Sequence, residues 1–364
     1  MGSDGPGRQV HLFEPLRLRE VTVRNRIMIS PMCQYCAGDA IPNEWHFVHL
    51  ASRAVGGAGI VMTEATAVEP AGRITPFDLG LWNEEQQAAF SRIASFVRDQ
   101  GALAGIQLAH AGRKASHSRP WEGREPLKSE SGGWHVVGPS PIPWSPDDLT
   151  PREMSVEDIS LMASKFRMAA KRALAAGFQL IEVHAAHGYL FHSFLSPLTN
   201  RRKDAYGGDF EGRSRFLLET VKAIREVWPP HLPLFVRMSV TDGVEGGWKV
   251  ADTVRLAGHL QDAGVDAIDC SSGALVPQEQ IKTHPGYQVP LAEALRRGSG
   301  MRTVAVGWIQ EPALAEEIIA NQRADFVAIG RLALWDPYWP IHAARVLKAE
   351  VRLPVQYGRA DIFS

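Results

Sequence analysis

The feature that most constrains the fold is a repeated pairing of a short apolar segment with an amphipathic helical segment. Each apolar run is continuous rather than alternating, which is typical of strands buried on both faces of a parallel sheet. Eight such runs occur, at residues 26–30, 59–63, 103–108, 179–183, 234–238, 267–269, 303–306 and 326–329. Strands that alternate with helices in this number predict an α/β fold, a (β/α)8 TIM barrel. An open doubly wound sheet is the alternative, but no Gly-x-Gly-x-x-Gly follows a predicted strand.

Segments outside this repeat account for the rest of the chain. Residues 12–18 and 21–23 predict an N-terminal β-hairpin before the first barrel strand. The stretch 109–154, rich in Pro, Gly, Trp and charge, predicts a long capping insertion after the third strand, over the active site. Residues 1–9 are Gly-rich and polar, without the apolar core of a secretory signal, and predict a disordered tail. We therefore expect a single barrel domain over residues 10–364.

Local patterns predict where two of the helices begin and which face one of them buries. Asn83 precedes Gln86 by three residues, the spacing of a capping box, and Ser155 opens the helix after the insertion. The apolar residues of that second helix predict an inward face made of Ile159, Met162, Phe166 and Leu174.

Composition argues against several classes of protein. The 364 residues are 45% hydrophobic and 22% charged, and no apolar run reaches the roughly 18 residues that a membrane span needs. The formal net charge of -1 gives no electrostatic reason to expect nucleic acid or an anionic bilayer as partner. Three cysteines, Cys33, Cys36 and Cys270, cannot form a disulfide framework in a chain of this length. These features favour a cytoplasmic protein with a small-molecule ligand.

Side chains that handle protons follow the fourth predicted strand. His184, His187 and Tyr189 lie there, at the end of the strand where barrel enzymes carry their chemistry. The imidazoles could polarise an anionic or carbonyl oxygen. A zinc-dependent hydrolase is the alternative, with His184 and His187 as ligands and His46 and His49 as a second His-x-x-His pair. That second pair lies at the start of a predicted helix, and no Asp or Glu completes a ligand set.

An arginine in the fifth predicted strand is the second signal. Arg237 lies between Val236 and Met238, where an unpaired guanidinium would be costly. Its counterpart is either Glu182 on the neighbouring strand or an electron-rich cofactor ring, for which Gln107 would offer an amide. Both interpretations are open from the residues alone.

Glycines follow the last two predicted strands, where barrels commonly bind phosphate through backbone N–H groups. Gly307 follows the seventh strand, and Gly330 with Arg331 follows the eighth. With the amide and guanidinium of Gln107 and Arg237, they indicate a flat, phosphate-bearing cofactor lying across the barrel mouth.

These residues lie in stretches that resemble the old yellow enzyme family of FMN-dependent ene reductases. Within that family the chain is most similar to the thermophilic-like branch, which includes bacterial xenobiotic reductases. The resemblance covers nearly the whole chain in order, and its motifs are highly specific when taken together. The matching stretches are residues 30–33, 64–65, 105–114, 184–190, 235–237, 268–273 and 329–331.

The resemblance implies FMN as the cofactor and NADPH as the reductant. It implies that the isoalloxazine ring is held by Ser30, Pro31, Met32, Cys33, Ala65, Gln107 and Arg237. It also implies that Gly307, Gly330 and Arg331 hold the FMN phosphate.

The implied activity is reduction of the activated C=C bond of α,β-unsaturated carbonyl or nitro compounds by a ping-pong hydride transfer. His184 and His187 would hydrogen-bond the carbonyl or nitro oxygen, and Tyr189 would donate the proton. Tyr35 would orient the substrate, and Cys33 would modulate the flavin potential and substrate binding.

The C-terminal segment 356–359 resembles one that members of this branch insert into a partner subunit's active site. This implies a homodimer or a dimer-based homotetramer in which Arg359 binds substrate in the neighbouring site. Two departures bear on substrate preference: the loop 117–134 is longer than in the shortest members, and residues 362–364 extend past the usual end.

Overall fold

Eight parallel strands form a closed barrel in the computed structural model, which describes residues 9–279 and 281–363. We number the barrel strands in chain order as β1 (Ile27–Ile29), β2 (Ile60–Ala67), β3 (Leu103–Ala109), β4 (Leu180–Ala185), β5 (Leu234–Ser239), β6 (Ala267–Ser271), β7 (Arg302–Ala305) and β8 (Phe326–Ile329). Each strand pairs with its neighbours in sequence, and β8 pairs with β1 to close the cylinder. The predicted (β/α)8 barrel is confirmed.

Helices follow the strands around the outside of this barrel. They are α1 (Glu44–Val55), α2 (Glu84–Asp99), α3 (Val156–Ala175), α4 (Leu190–Leu195), α5 (Phe210–Arg225), α6 (Val250–Asp262), α7 (Val289–Ser299), α8 (Pro312–Ala320), α9 (Arg331–Trp335) and α10 (Trp339–Leu347). The short helix α4 was not predicted, and it begins directly after Tyr189. This helix fixes the direction in which the chain leaves the end of β4.

Both predicted helix starts are confirmed by their capping contacts. The Asn83 side chain accepts the N–H of Gln86 at 2.9 Å, and the Gln86 side chain accepts the N–H of Asn83 at 3.3 Å. At the start of α3, Ser155 Oγ accepts the N–H of Asp158 at 3.1 Å. These contacts satisfy N–H groups that have no partner within their own helix.

One residue of the predicted inward face of α3 points elsewhere. Ile159, Met162 and Phe166 are buried as predicted, but Leu174 is 36% exposed. Ala173, seven residues after Phe166, takes the buried position instead. Seven residues complete about two turns of a helix, so the next position is rotated about 100° away from the core.

The N-terminal hairpin is confirmed, but its first strand is shorter than predicted. Leu16–Leu18 pairs antiparallel with Val21–Val23. Residues His11–Phe13 form a 3-10 turn rather than strand, because the Glu316 carboxylate accepts the backbone N–H groups of His11 and Leu12 at 3.0 and 2.8 Å. Those amide groups are therefore not available to a strand ladder.

The barrel interior is apolar at the amino ends of the strands and polar at their carboxyl ends. The apolar layer packs against Leu18 and Val23 of the hairpin and includes Met28, Ile60, Leu103, Leu180, Phe235, Ala267, Val304 and Phe326. Two residues after Leu180, Phe235 and Ala267, on the same side of their strands, are Glu182, Arg237 and Asp269. The hairpin thus closes one end of the barrel, and the polar chemistry faces the other.

The insertion after β3 packs over this polar end. It contains 3-10 turns at Gly112–Lys114, Pro120–Glu122 and Ser129–Ser131, and a short parallel pairing of Val137–Gly138 with Arg152–Glu153. Its residues Ala111, Ala115 and Val136 form a buried cluster against which Cys33, Tyr35 and Tyr189 pack. Three of the predicted catalytic side chains therefore contact one apolar cluster.

The remaining predictions concern the chain ends and membranes. Residues 1–8, most of the predicted tail, and Ser364 of the C-terminal extension lie outside the described residues. No helix in the described part of the chain is long and apolar enough to cross a membrane. The division into a tail and one domain stays a prediction.

We expect Asn83→Ala to lower the free energy of unfolding by about 1 kcal/mol, because the first turn of α2 loses its capping acceptor. Urea denaturation followed by circular dichroism measures the change. Gln87→Ala is the matched control, since its side chain makes no hydrogen bond with any described residue and Ala favours helix. Equal unfolding midpoints for Asn83→Ala and wild type would contradict this assignment of the cap.

Candidate active site

A cavity of about 420 Å³ lies at the carboxyl ends of the strands. It is lined by most of the residues predicted to hold a cofactor, which are Ser30, Pro31, Met32, Arg237, Gly307, Gly330 and Arg331, and by His187, which was predicted to bind substrate. A larger cavity of about 590 Å³ lies near the opposite end of the barrel, beside Arg24 and Asn25, and none of the predicted site residues lines it. Size alone would therefore select the wrong end of the barrel.

The predicted ring-binding residues on β2 and β3 lie side by side. Ala65 pairs with Gln107 across the two strands, just beyond an irregularity in their register. Gln107 is buried, and its Nε2 donates to Glu182 Oε1 at 2.7 Å. This contact fixes which end of the Gln107 amide is the donor toward β4.

The ionic partner of Arg237 is Asp269, which corrects the interpretation that paired Arg237 with Glu182. Arg237 Nε lies 3.1 Å from Asp269 Oδ2, and the two residues are directly opposite each other on β5 and β6. On the other side, the register places His184 rather than Glu182 opposite Arg237. Sequence alone identifies the neighbouring strand but not which residue on it lies opposite the arginine.

The glycines after β7 and β8 line the cavity beside polar side chains. Gly307 has φ of +121°, and a Cβ there would lie 3.1 Å from Gln288 Cβ, so a larger residue is disfavoured. Beside Gly330, Ser30 Oγ is buried without a hydrogen-bond partner among the described residues. With Arg331 also lining the cavity, the donor set suits an anionic, phosphate-bearing cofactor.

The imidazole of His184 is neutral and has a defined tautomer. Burial, with the nearby positive charge of Arg237, holds the pKa of His184 well below its usual range. The N–H of Ala186 donates to His184 Nδ1 at 3.2 Å, so the ring proton is on Nε2. His184 therefore has one N–H donor that is not needed by the backbone.

His187 is also neutral, and its ring is held by a chain of hydrogen bonds. Burial and Arg237 lower the pKa of His187 well below its usual range. His187 Nε2 lies 2.6 Å from Ser271 Oγ, and Gln288 Nε2 donates to the same hydroxyl at 3.2 Å. The Ser271 hydroxyl therefore fixes the orientation of the His187 ring through Nε2.

The two imidazoles and the phenol converge as predicted. The ring centroids of His184 and His187 are 5.2 Å apart, and those of His184 and Tyr189 are 4.9 Å apart, both in edge-to-face geometry. Burial raises the pKa of Tyr189 far above its usual value, so the phenol keeps its proton at neutral pH. Two neutral imidazoles and one protonated phenol thus form a compact group.

Hydrogen bonds and a close backbone contact hold the turn that carries these groups. His187 has φ of +59°; its N–H donates to Ser239 Oγ at 3.0 Å, and its carbonyl accepts from Lys114 Nζ at 2.8 Å. The N–H of Gly188 donates to His192 Nδ1 at 2.9 Å. A Cβ on Gly188 would lie 2.5 Å from the carbonyl oxygen of Ala274, so only glycine fits there.

Lys114 links this turn to the loop after β6. Its Nζ also donates to the carbonyl of Ala274 at 2.9 Å and lies 5.5 Å from the centre of the Tyr189 ring. Burial lowers the pKa of Lys114 to about 7. The sequence placed Lys114 beyond the end of β3, but its role depends on carbonyl groups far away in the chain.

Cys33 and Tyr35 lie next to Tyr189 on the insertion side. Burial, with the negative charges of Glu64 and Asp78, raises the pKa of the Cys33 thiol well above its usual value. Burial likewise raises the pKa of Tyr35, whose φ is +52° and whose ring meets Trp121 edge to face with centroids 6.0 Å apart. Cys33 is therefore a protonated thiol, and Tyr35 connects the site to the insertion.

His46, from the second His-x-x-His pair of the zinc alternative, already has other partners. His46 Nδ1 accepts the N–H of Asn43 at 3.1 Å, as part of the cap of α1, and its Nε2 lies 3.2 Å from Glu64 Oε1. Within residues 9–279 and 281–363, no group of three or more His, Cys, Asp or Glu side chains could hold a metal ion. A zinc-dependent hydrolase finds no support in this arrangement.

Arg359 is exposed on the C-terminal 3-10 segment Val355–Phe363. Gln356, three residues earlier, lines the cavity near the amino ends of the strands, beside Arg24 and Asn25. Arg359 is not among the residues lining the cavity at the carboxyl ends. The structure does not bring Arg359 to the site of its own chain.

Sequence reasoning missed four residues that hold the site. Asp269 and Ser271 lie in the matching stretch 268–273, so the signal was present without an assigned role. Ser239 follows Arg237 by two positions on β5 and faces the same side of the strand. His192 lies in the unpredicted helix α4, and its Nε2 is 2.7 Å from Asp242 Oδ1.

Comparison with known proteins gives matches along most of the chain. A family model described as the NADH:flavin oxidoreductase / NADH oxidase family matches residues 11–350. An NADPH dehydrogenase of Bacillus velezensis is 46% identical over 351 residues, which cover 96% of this chain and 98% of that protein.

Two solved structures share the fold and part of the sequence. A complex of 2-naphthoyl-CoA reductase superposes with a TM-score of 0.84 and 27% identity over 92% of this chain, and this chain spans only 52% of that larger protein. Morphinone reductase in complex with tetrahydroNAD gives a TM-score of 0.77 and 28% identity, over 96% of this chain and 93% of that one.

These matches confirm the resemblance to the old yellow enzyme family and identify an enzyme. The cavity, the glycines that line it and the unpartnered Ser30 hydroxyl fit flavin mononucleotide. The chain belongs to the NADH:flavin oxidoreductase / NADH oxidase family, and it is an FMN-dependent oxidoreductase of the old yellow enzyme type.

Proposed function

We propose that this enzyme is an NADPH-dependent ene reductase that reduces the activated C=C bond of α,β-unsaturated carbonyl or nitro compounds by a ping-pong hydride transfer. The similar Bacillus protein named NADPH dehydrogenase supports NADPH as the reductant. Morphinone reductase with bound tetrahydroNAD supports a nicotinamide entering the same kind of site.

The observation that carries this proposal is the convergence of His184, His187 and Tyr189. Two neutral imidazoles, each with one N–H, suit an oxygen that gains negative charge during a reaction. The nearby phenol suits a carbon that must be protonated in the same event.

The residues that would hold FMN surround the cavity on several strands. The segment 30–33, Ala65, Gln107 and Arg237 would bind the ring, while Gly307, Gly330 and Arg331 would bind the phosphate. When bound, FMN supplies the acceptor and donor of hydride between the nicotinamide and the alkene.

His184 and His187 would hold the substrate's carbonyl or nitro oxygen. Each ring donates one proton in a hydrogen bond without carrying a charge, so this contact does not depend on pH near neutrality. Preorganised donors of this kind contribute about 3 to 4 kcal/mol each to stabilising a developing oxyanion.

Tyr189 would deliver the proton to the alkene carbon next to the activating group. Its raised pKa keeps the phenol protonated until the carbon becomes basic. Tyr35 and Cys33, which pack against the same apolar cluster, would set the orientation of the substrate and the polarity beside the flavin.

The proposal extends to a homodimer or dimer-based homotetramer in which Arg359 binds substrate in the partner's site. Arg359 is exposed on its own protomer, and its segment is anchored by Tyr357, whose hydroxyl lies 3.3 Å from the hydroxyl of Tyr338. A cytoplasmic location completes the proposal.

We expect the NADPH-reduced enzyme to be reoxidised by 2-cyclohexenone under anaerobic conditions, because the imidazole pair can bind the enone oxygen. Flavin absorbance followed in a stopped-flow spectrometer measures both half-reactions. A flavin that NADPH reduces but that no enone or nitroalkene reoxidises would contradict the ene reductase proposal.

We expect Tyr189→Phe to slow reoxidation by the enone about a hundredfold and to leave reduction by NADPH unchanged, because only the second half-reaction needs the phenolic proton. Tyr206→Phe is the control, since that hydroxyl donates to Glu219. Equal losses in both half-reactions of Tyr189→Phe would show that the phenol is not the proton donor.

We expect Arg359→Ala to raise KM for the enone, and activity to return when this variant is mixed with His184→Ala subunits. A mixed dimer would join an intact His184 site to a partner with an intact Arg359. Steady-state assays of the mixture and of each variant alone measure the effect, alongside molar mass from light scattering. No recovery in proven mixed dimers would place Arg359 outside the partner's site.

A further inference from the structure

Two carboxyl groups inside the barrel have no part in the proposed reaction. Glu182 on β4 and Asp269 on β6 are both 0% exposed and flank Arg237 on β5. Side chains of alternate residues on a strand face the same side, so both acids share the interior with Leu180 and Ala267, two residues earlier.

This arrangement is costly for the fold. One guanidinium faces two carboxyls, and Glu182 Oε2 and both oxygens of Asp269 accept no hydrogen bond from the described residues. Buried charges cost several kcal/mol unless they are well paired, and apolar replacements are often as stable or more so. The fold alone therefore gives little reason for these two acids.

Each acid contacts one side chain that is expected at the flavin ring. Glu182 Oε1 accepts from Gln107 Nε2 at 2.7 Å, and Asp269 Oδ2 lies 3.1 Å from Arg237 Nε. No described residue accepts a hydrogen bond from Arg237, whose side chain lines the cavity. Glu182 thus contacts Nε2 of Gln107, and Asp269 contacts Nε of Arg237. The other polar atoms of Gln107 and Arg237 remain for a ligand.

We propose that Glu182 and Asp269 are positioning residues for the flavin: Glu182 fixes the amide of Gln107, and Asp269 orients Arg237 and offsets its positive charge. This inference rests on the proposed binding of the flavin ring by Gln107 and Arg237. It assigns to Asp269 control over the reduction potential and to Glu182 control over the affinity for FMN.

The protonation of the pair agrees with this assignment. Burial, and then the nearby charge of Asp269, raise the pKa of Glu182 to about 8, and burial also raises the pKa of Asp269. At neutral pH Glu182 is then mainly a neutral acid that accepts through its carbonyl oxygen. The guanidinium contacts Asp269 and not Glu182, so Asp269 is the carboxyl group positioned to offset its charge.

The direction of each effect follows from charge and hydrogen bonding. Reduction adds negative charge to the flavin, and a guanidinium that is not offset by Asp269 would stabilise that charge more strongly. Removing the Asp269 charge therefore makes the potential more positive. Removing the Glu182 acceptor frees the Gln107 amide to rotate, so part of the FMN affinity is lost.

The first test is the midpoint potential of the holoenzyme, measured against a reference dye. We expect Asp269→Asn to shift it to a more positive value, while Thr303→Val, which alters another buried and unpartnered group, leaves it unchanged. An unchanged or more negative potential in Asp269→Asn would overturn the role of this residue. A purely structural role would alter the urea midpoint without this directed shift.

The second test is the dissociation constant of FMN from the apoprotein, measured by quenching of flavin fluorescence. We expect Glu182→Leu to weaken binding about tenfold, and Glu182→Gln, which keeps an oxygen for Gln107, to stay within about twofold of wild type. Equal affinity in Glu182→Leu and wild type would overturn the role of Glu182. If Glu182→Leu does not fold, Glu182→Ala measured in the same way tests the same contact, and an affinity equal to wild type in that variant would overturn the role.

These readouts are separate from the ene reductase test. Measurements of the midpoint potential and of FMN affinity require no enone. Both predictions can therefore hold even if no enone reoxidises the enzyme. Conversely, rapid reoxidation by 2-cyclohexenone with an unshifted potential in Asp269→Asn would refute the positioning role alone.

Discussion

The lateral register of the parallel strands is the constraint on which the site depends. It sets Gln107 opposite Glu182 and Arg237 opposite Asp269, in the polar part of the barrel interior. A slip of one residue on any of these strands would turn its polar side chain into the apolar layer outside the barrel. The hairpin and the apolar interior beneath seal this level from the amino end, which strengthens the electrostatic interactions above it.

Local signals were sufficient to predict the fold, and the site could be predicted only as a set of residues at strand ends. Apolar runs and capping boxes need only neighbours in sequence, which is why β1 to β8 and the caps at Asn83 and Ser155 were found. The partner of Arg237 depends on register between strands, and the turn at His11–Phe13 depends on Glu316, some 300 residues away. Lys114 shows the same limit, because both of its carbonyl partners come from other loops.

Backbone strain is present at two of the residues that would touch substrate. Tyr35 and His187 both have left-handed backbone conformations, which cost of order 1 to 3 kcal/mol each for residues with a side chain. Hydrogen bonds from Lys114 and to Ser239 hold His187 in that conformation. The cost of placing the imidazole is therefore met during folding, and little reorganisation remains when a substrate binds.

The fit of Gly188 against Ala274 has a consequence for how such an enzyme can change its range of substrates. With no space for even a methyl group, and with Lys114 joining both backbones, the turn after β4 and the loop after β6 form one rigid wall. The opposite wall is built by the insertion, where Trp121 meets Tyr35 and is largely open to solvent. Evolution of a larger or smaller pocket is therefore one-sided: length and sequence can vary in the insertion, while the wall that grips the oxygen stays fixed.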